Sequence, residues 1–263
     1  MIADDFDLPL RQRPRIEFLG LDFDSRPSGD VRAWLSARGE ESGFAYLVTP
    51  NVDHMVRLGK AGAQVQRAYR EADLCVCDSR VLSRLARLCG VDLPVTAGSD
   101  LVRALFDDLL ADGDRVCLIG GSAELAARLV ERFPHVVILH HDAPMGLARN
   151  PAARAAAVAF AAAAKARFML LAVGSPQQEL LAWEMARSGD VGGTALCIGA
   201  GVEFLIGVRA RAPRIVQRAG MEWAWRLIGE PRRMWRRYLV DGPAIFPAVW
   251  RWRRARARAG GRP

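Results

Sequence analysis

The 263-residue sequence lacks any apolar run long enough to cross a bilayer. A membrane-spanning helix needs about 18 or more consecutive apolar residues. The nearest candidate, residues 152–166, is mostly alanine and is interrupted by Arg154 and Lys165. The first 20 residues begin acidic and lack the continuous apolar core of a secretory signal peptide. Any membrane contact of this chain is therefore expected to be peripheral.

Paired cysteines and metal-ligand spacings are also missing. The five cysteines include no CxxC pair, and most lie in apolar runs typical of strands. We therefore expect buried free thiols of a reducing, cytoplasmic compartment and no structural zinc site. His140, His141 and Asp142 follow one another directly, and successive strand residues point to opposite faces, so they are not expected to share a metal. The sequence predicts neither a metal nor another cofactor.

The standard fingerprints for nucleotide phosphates are absent as well. Gly120, Gly121 and Ser122 follow an apolar run and precede a helical pattern, where backbone N–H groups could hold a phosphate. This segment is not a GxGxxG motif, and no Gly-Lys-Ser/Thr follows as in a P-loop. Because glycine is common at strand–helix turns for steric reasons, a structural role and a phosphate-binding role both stay open.

What the sequence does contain is an alternation of short apolar runs and helix-period segments. The strand candidates are residues 16–21, 44–49, 74–77, 115–119, 136–140, 168–173 and 194–198. The helix candidates are residues 31–38, 55–69, 81–89, 101–110, 124–133, 151–166 and 176–188. This alternation predicts an α/β fold, with a Rossmann-like, mostly parallel sheet flanked by helices.

Several polar residues follow the predicted strands, at the edge where such sheets bind ligands. Asp78 follows an apolar strand and could be a general base, or it could cap the next helix, a role that Ser79 could also fill. Thr49 and Asn51 are ambiguous between turn residues and ligand donors.

The segment from Gly174 to Glu179 is more informative. Ser175 and Pro176 suit the start of a helix, as an N-cap and a first helical residue. Capping does not require Gln177, Gln178 and Glu179 at the mouth of a sheet. Amides there suit ligands with paired donors and acceptors, such as hydroxyl-rich or uracil-bearing molecules.

The C-terminal part differs from the rest in charge. Residues 209–263 carry 15 arginines against three acidic residues, a net charge of +12, whereas residues 1–208 carry 22 basic and 26 acidic residues, a net of −4. We therefore divide the chain into an α/β core (1–208) and a basic, Trp- and Arg-rich helical appendage (209–263).

Within the appendage, residues 230–239 predict an amphipathic helix. Its arginines fall on one side and its apolar and aromatic residues on the other. This pairing suits phosphate-bearing ligands and anionic membrane surfaces. Two other interpretations stay open: the tryptophan face packs on the core, or the basic side binds nucleic acid. No helix-turn-helix, zinc-finger or RNA-binding signature supports nucleic acid as a partner.

Together these motifs resemble the WecB/TagA/CpsF family of bacterial glycosyltransferases. The matching pieces are Thr49-Pro50-Asn51 with His54, Ala72-Asp73 leading to Asp78, Gly98-Ser99-Asp100-Leu101, Leu118-Ile119-Gly120-Gly121-Ser122, Gly174-Ser175-Pro176-Gln177-Gln178-Glu179, Arg211-Ala212-Pro213, Glu222-Trp223, Arg226-Leu227, Glu230-Pro231-Arg232-Arg233 and Arg236-Arg237-Tyr238. They cover roughly residues 16–246. No single piece is decisive, but the last groups are highly specific in combination.

The resemblance implies an inverting, metal-independent hexosyltransferase. Such an enzyme moves a sugar from a UDP-sugar, of the N-acetylmannosamine, glucose or uronic acid type, to a sugar on polyprenyl diphosphate. The products serve exopolysaccharide, capsule or teichoic-acid synthesis in cell wall biogenesis. The enzyme would be cytoplasmic and peripheral on the anionic inner face of the cytoplasmic membrane.

The resemblance also implies residue roles. Asp78 would be the base that deprotonates the acceptor hydroxyl. The residues around the substrates would be Thr49, Asn51, Gln177, Gln178 and Glu179, with Gly120, Gly121 and Ser122 near the nucleotide. The arginines that would hold diphosphate and bring the enzyme to the membrane are Arg214, Arg218, Arg226, Arg232, Arg233, Arg236 and Arg237.

Two departures from the family pattern stand out. Where members commonly have Pro-Asp-Gly-x-Gly, this chain has Cys77-Asp78-Ser79-Arg80-Val81, and an arginine often found before the Gly-x-Asp-Leu motif is replaced within residues 94–97. The losses narrow the backbone options around Asp78 and remove a charge near the pocket. The alternative function is therefore a non-catalytic scaffold that binds nucleotide-sugar or anionic lipid without turnover.

The appendage and the oligomeric state are the subject of two further expectations. We expect truncation before Gly220 to release the protein from anionic vesicles and leave a folded core. Homo-oligomer formation is left open by the sequence.

Overall fold

A computed structural model describes residues 15–39, 41–258 and 260 of the protein. The side chains of Arg214, Arg218 and Arg233 lie outside this description, although their backbone lies within it. The expectation about a signal peptide likewise concerns residues that the structure does not describe.

Strands and helices alternate through most of the chain. The strands are β1 (Arg15–Phe18), β2 (Leu21–Asp24), β3 (Ala45–Val48), β4 (Leu74–Cys75), β5 (Arg115–Ile119), β6 (Val137–His141), β7 (Phe168–Leu171) and β8 (Thr194–Cys197). The helices are α1 (Ser28–Ser36), α2 (Val52–Leu58), α3 (Ala63–Arg70), α4 (Arg80–Arg87), α5 (Gly98–Ala104), α6 (Ala123–Arg132), α7 (Pro151–Ala164), α8 (Gln177–Ser188), α9 (Gly201–Leu205), α10 (Arg214–Arg218), α11 (Glu222–Gly229), α12 (Pro231–Trp235) and α13 (Ile245–Arg258). A π-helical turn extends α5, and a second π turn and a 3-10 turn join α12 to α13.

Six strands form one parallel sheet in the order β4-β3-β8-β7-β5-β6. Helices cover both faces, because alternate residues of each strand enter two separate hydrophobic layers. In β3, Tyr46 and Val48 join the layer that includes α7 and α8, whereas Ala45 and Leu47 join the layer that includes α1, α5 and α6. Strands buried on both faces read as continuous apolar runs, which is why the sequence revealed them. The Rossmann-like α/β prediction is confirmed.

Two segments differ from the prediction. The first strand candidate is two short strands that form an antiparallel hairpin outside the main sheet, because Leu19 and Gly20 both adopt positive φ and reverse the chain. The helix predicted over residues 55–69 is two helices, since the chain leaves α2 at Gly59 and enters α3 at Gly62. Glycine disfavours the interior of a helix because it loses more backbone conformational entropy there than other residues do.

The appendage packs against the core through α13. Ile245 and Val249 are 2% and 9% exposed and belong to the same hydrophobic layer as α7 and α8. The indole Nε1 of Trp252 donates to the Glu17 carboxylate at 2.8 and 2.9 Å, and its ring meets Phe18 edge-on. Because these contacts cross residue 208, the division into two domains stays a proposal.

Candidate functional site

Two cavities adjoin at the carboxyl edge of the sheet. The first, which we call the strand-end cavity, has a volume of about 330 Å³. Its walls are the residues that follow β3, β4, β7 and β8, closed by residues of the appendage. Polar groups converge in it, as is usual where parallel strands end. They include Thr49, Asn51, His54, Ser175, Gln178 and Arg209.

The second, which we call the appendage cavity, has a volume of about 350 Å³. One wall is the segment from Asp78 to Val81 with Val95, and the opposite wall comes from residues between Arg211 and Phe246. Much of its surface is apolar or aromatic, from side chains such as Val81, Val95, Trp223, Leu239, Ile245 and Phe246. The appendage therefore builds a cavity with the core rather than extending away from it.

Four residues line both cavities: Asn51, Asp78, Arg226 and Arg237. The two from the core carry a carboxylate and an amide, and the two from the appendage carry guanidinium groups. A carboxylate between two cavities can contact a ligand in each of them. This shared wall is the candidate active site.

Local structure turns Asp78 toward this wall. Its backbone N–H donates to the Pro50 carbonyl at 3.0 Å. Ser79 is the N-cap of α4, because its hydroxyl accepts from Leu82 N–H at 3.2 Å. The cap is thus supplied by the neighbouring residue, which leaves the Asp78 carboxylate available for other chemistry.

The surroundings of Asp78 change its acidity. The pKa of its carboxyl group is raised from 3.8 to about 7, mainly by burial; the Arg226 guanidinium opposes the rise, and the nearby Glu222 carboxylate contributes to it. Burial disfavours the charged form because the carboxylate loses solvation by water. A carboxyl group with a pKa near neutrality can take up a proton at physiological pH and release it again.

Each arginine of the shared wall is fixed by a carboxylate. Arg226 donates from Nη2 to Glu222 Oε1 at 2.9 Å, and its guanidinium lies 5.0 Å from the centre of the Phe204 ring. Arg237 pairs with the buried Asp53 at 3.2 Å and lies 3.5 Å from Asn51 Oδ1. Both guanidinium groups are therefore held in position by contacts within the protein.

Thr49 and Asn51 lie where the sequence predicted, at the carboxyl end of β3. The Thr49 hydroxyl donates to the Cys197 carbonyl at 3.1 Å and is almost completely buried. Asn51 caps α2 through Oδ1, which accepts from the N–H groups of Asp53 and His54. Thr49 lines the strand-end cavity and Asn51 lines both cavities, so each combines a structural role with a position at the site.

The three polar residues at the start of α8 separate into different roles. Gln178 lines the strand-end cavity, accepts from Gly199 N–H at 3.0 Å and donates to Glu179 at 2.8 Å. Glu179 is fully buried, and burial raises the pKa of its carboxyl group. Gln177 instead bonds the backbone of Ala148 and Val173. Among the described residues that line the cavities, only Gln178 of the three appears.

The start of α8 also corrects the capping prediction. The helix begins at Gln177 after a cis Ser175–Pro176 peptide, and Ser175 makes no capping hydrogen bond. Its hydroxyl lies 3.0 Å from the Tyr69 hydroxyl instead. Ser175 thereby connects α8 to α3.

Gly120, Gly121 and Ser122 have structural explanations. Both glycines adopt positive φ, and an added Cβ would lie 2.6 Å from Val173 at Gly120 and 2.5 Å from Leu125 at Gly121. The Ser122 hydroxyl accepts from Leu125 N–H and caps α6. None of the three is among the described residues that line the two cavities. A contact with the nucleotide stays a prediction for them.

The predicted arginines also separate. Arg226 and Arg237 line the cavities, whereas Arg232 and Arg236 are exposed on α12 and just after it. The predictions for the side chains of Arg214, Arg218 and Arg233 lie outside the described part of the structure.

Several residues that line the cavities were not predicted as site residues, although His54, Arg211 and Glu222 belong to the motifs that resemble the family. His54 lines the strand-end cavity, its Nδ1 atom has no hydrogen-bond partner among the described residues, and burial lowers its pKa to about 3, so the ring is neutral. Arg209 lines the same cavity and pairs with Glu203 and Glu230. Arg211 pairs with Asp100 in the appendage cavity, and Glu222 pairs with Arg226. The charge asymmetry indicated an arginine cluster, but not which arginines face a cavity.

Within residues 15–39, 41–258 and 260, the structure contains neither a metal-ligand cluster nor a membrane-spanning helix. No group of three or more His, Cys, Asp or Glu side chains is placed to hold a metal ion. No described helix combines the length and the apolar character that a bilayer crossing requires.

Comparison with protein families gives one match that covers most of the chain. Residues 16–259 match the family model described as the glycosyl transferase WecG/TagA/CpsF family. The match includes both the α/β core and nearly all of the appendage. It therefore covers both cavities and the wall between them.

Proposed function

The chain belongs to the WecG/TagA/CpsF family of glycosyltransferases, and on this premise we propose that it transfers a sugar from a UDP-sugar to a sugar carried on polyprenyl diphosphate. The transfer is inverting and independent of a metal ion, and it serves the synthesis of a cell-surface polysaccharide. The donor sugar is of the N-acetylmannosamine, glucose or uronic acid type.

The observation that carries this proposal is the position of Asp78. Its carboxylate lies in the wall shared by two cavities, and its pKa is raised to about 7. A transferase with two substrates requires a base that contacts the acceptor hydroxyl while facing the donor's anomeric carbon. A carboxylate at the junction of two binding sites meets both requirements.

The chemical character of each cavity supports one assignment of substrates. The strand-end cavity has the hydroxyl, amide and guanidinium groups that suit a nucleotide-sugar. The appendage cavity has the apolar walls that suit the beginning of a polyprenyl chain next to its sugar. We therefore assign the donor to the strand-end cavity and the acceptor to the appendage cavity.

The proposed reaction balances without a further reactant. Asp78 takes the proton of the acceptor hydroxyl, and the hydroxyl oxygen forms a bond to the anomeric carbon. The bond from this carbon to the UDP oxygen breaks, UDP leaves with the electron pair, and the configuration at the carbon inverts. Arg226 and Arg237, fixed beside Asp78, stabilise the negative charge that develops on the departing diphosphate.

The surface of the appendage supports a peripheral membrane location. Trp235 and Trp250 are 51% and 54% exposed, and neither is among the described residues that line the two cavities. They lie close in sequence to the exposed arginines of α12 and α13. Packing on the core therefore does not explain these aromatic side chains, and an anionic bilayer surface would cover them.

The test is release of UDP from a panel of UDP-sugars in EDTA, with and without a short polyprenyl-diphosphate-linked sugar. We expect release that depends on the acceptor, persists in EDTA and is lost in Asp78→Asn. The control is Asp107→Asn, which changes an exposed aspartate on the π turn after α5 and should keep full activity.

Two results would contradict the proposal. Full turnover by Asp78→Asn with saturating substrates would remove this residue from the role of base. Binding of UDP without release from any donor would favour the alternative function, a non-catalytic scaffold for nucleotide-sugar or anionic lipid.

A further inference from the structure

The side chain of Arg226 is held from two sides in the wall between the cavities. Its guanidinium lies over the Phe204 ring of α9, which lines the strand-end cavity. Its Nη2 donates at 2.9 Å to Glu222, which lines the appendage cavity. One partner therefore belongs to each cavity, and the arginine between them borders both.

We propose that Glu222 is a positioning residue, which together with Phe204 fixes the Arg226 guanidinium beside Asp78. Arg226 is thereby placed for the departing diphosphate before any substrate binds. That consequence rests on the function proposed above, whereas the fixed position of Arg226 next to Asp78 does not.

The pair of Glu222 and Arg226 is less exposed than a surface ion pair of the same spacing on another helix. Glu124 and Arg128 on α6 have the same i,i+4 spacing and a 2.8 Å contact, but their side chains are 73% and 52% exposed. The side chains of Glu222 and Arg226 are 30% and 34% exposed. Exposed pairs of the first kind contribute little to holding either side chain, because water competes for both groups. Burial and the aromatic ring restrict Arg226 much more strongly.

Many charged groups surround Asp78, and they come from several elements. From α11 these are Arg226 and Glu222, and from the segment before α10 there is Arg211. The backbone N–H of Gly98 donates to the Asp78 carboxylate. Among the described residues, the other titratable or charged groups lining the two cavities are Asp53, His54, Arg80, Asp100, Glu203, Arg209, Arg237 and Tyr238.

Glu222 acts on Asp78 in two opposing ways. Its negative charge directly raises the pKa of the Asp78 carboxyl group. By holding Arg226 in place, it also keeps a positive charge nearby, which lowers the same pKa. The effect of Arg226 is the larger of the two. If Glu222 holds Arg226 in place, neutralising Glu222 should raise the pKa of Asp78, because the larger effect of Arg226 is lost as well. If Glu222 acts only through its own charge, neutralising it should lower the pKa of Asp78.

The experiment is a titration of the Asp78 carboxyl carbon by NMR in the full-length protein, with Asp78→Asn used to assign the signal. We expect Glu222→Gln to raise the midpoint by about one pH unit, and Arg226→Gln to raise it more, because the Glu222 carboxylate then remains beside Asp78. In an Arg226→Gln background, where no guanidinium is left to hold, Glu222→Gln should instead lower the midpoint. Glu124→Gln should leave it unchanged.

A fall of the midpoint in Glu222→Gln alone would overturn the proposal, as would the same direction of shift in both backgrounds. Phe204→Leu is a second variant, which keeps the charge of Glu222 and removes the ring beneath Arg226. Phe204→Leu should also raise the midpoint of Asp78. An unchanged midpoint would show that Phe204 does not help to fix Arg226.

A kinetic measurement connects this position to the reaction. Glu222→Gln should lower kcat about tenfold or more and change the KM for the donor less, because a preorganised charge acts mainly on the transition state. A rise in KM with kcat unchanged would contradict this consequence. Since the titration requires no turnover, it tests the position of Arg226 even for a protein that releases no UDP.

Discussion

At the scale of single residues, Asp78 combines a position between the two cavities with a cost in stability. Its carboxyl group has an ordinary pKa of 3.8, which burial raises to about 7 in the folded protein. Between these values the folded protein holds the proton and the unfolded chain does not. The stability associated with the protonated group is therefore fully present below pH 3.8 and is lost as the pH rises through 7.

This reasoning predicts a pH-dependent stabilisation by Asp78→Asn, because asparagine resembles the protonated acid at every pH. At pH 8 we expect the free energy of unfolding to rise by about 4 kcal/mol, with little change at pH 4. Urea denaturation at both pH values, with Asp107→Asn as the control, measures the effect. An equal change at pH 4 and pH 8 would show that solvation of the charged carboxylate is not its cause.

The same residue shows where sequence reasoning stops. The sequence left open whether Asp78 or Ser79 caps α4, since both types of side chain favour that position. The choice depends on backbone geometry, and Ser79 has the extended conformation and the contact to Leu82 N–H that a cap requires. Those torsions are set by packing of the loop after β4, which composition and spacing do not reveal.

At the scale of elements, the first turn of α8 offers a comparison between neighbouring glutamines. Gln178 lines the strand-end cavity, whereas Gln177 bonds only backbone groups of Ala148 and Val173 among the described residues. We expect Gln178→Ala to lower UDP-sugar turnover about tenfold or more. Gln177→Ala should keep the turnover but lower the free energy of unfolding by about 1 kcal/mol, because it loses two hydrogen bonds to the backbone.

Steady-state kinetics and urea denaturation of the two variants test this prediction. In the opposite result, Gln177→Ala would lose activity and Gln178→Ala would lose only stability. That result would contradict the assignment of Gln178 to the substrate-binding cavity.

The sequence predicted the elements of the sheet better than the contacts of the site. Buried parallel strands are apolar on both faces, so all six strands of the main sheet were visible as short runs. The hairpin of β1 and β2 was not, because its reversal depends on two residues with positive φ. The pairs of Arg237 with Asp53 and Arg209 with Glu203 were not predictable either, since they join different elements and leave no periodic pattern.

At the scale of the whole molecule, the basic appendage forms part of the candidate active site and also presents an exposed surface. Arg226 and Arg237 line the cavities, and Ile245 and Val249 are buried in the core layer. Truncation before Gly220 therefore removes the two cavity arginines and core packing together with the proposed membrane contact. A folded core after truncation stays a prediction, and point substitutions on the exposed side separate the two roles.

The final prediction concerns that exposed side. We expect the protein to co-sediment with vesicles that contain anionic lipid, less with neutral vesicles, and less in high salt, since screening weakens the attraction of arginine for the surface. Combined substitution of Trp235 and Trp250 by alanine should weaken binding to anionic vesicles about tenfold or more. Both side chains are more than half exposed, so their loss should change the free energy of unfolding little.

The control is Met145→Ala, which removes a 98% exposed apolar side chain from the segment between β6 and α7. It should bind vesicles as the wild type does. Binding by the double tryptophan variant equal to that of the wild type would mean that arginine charge alone brings the protein to the surface. In that case binding should disappear completely in high salt, whereas inserted aromatic side chains would retain part of it, because apolar burial in the bilayer interface is not screened.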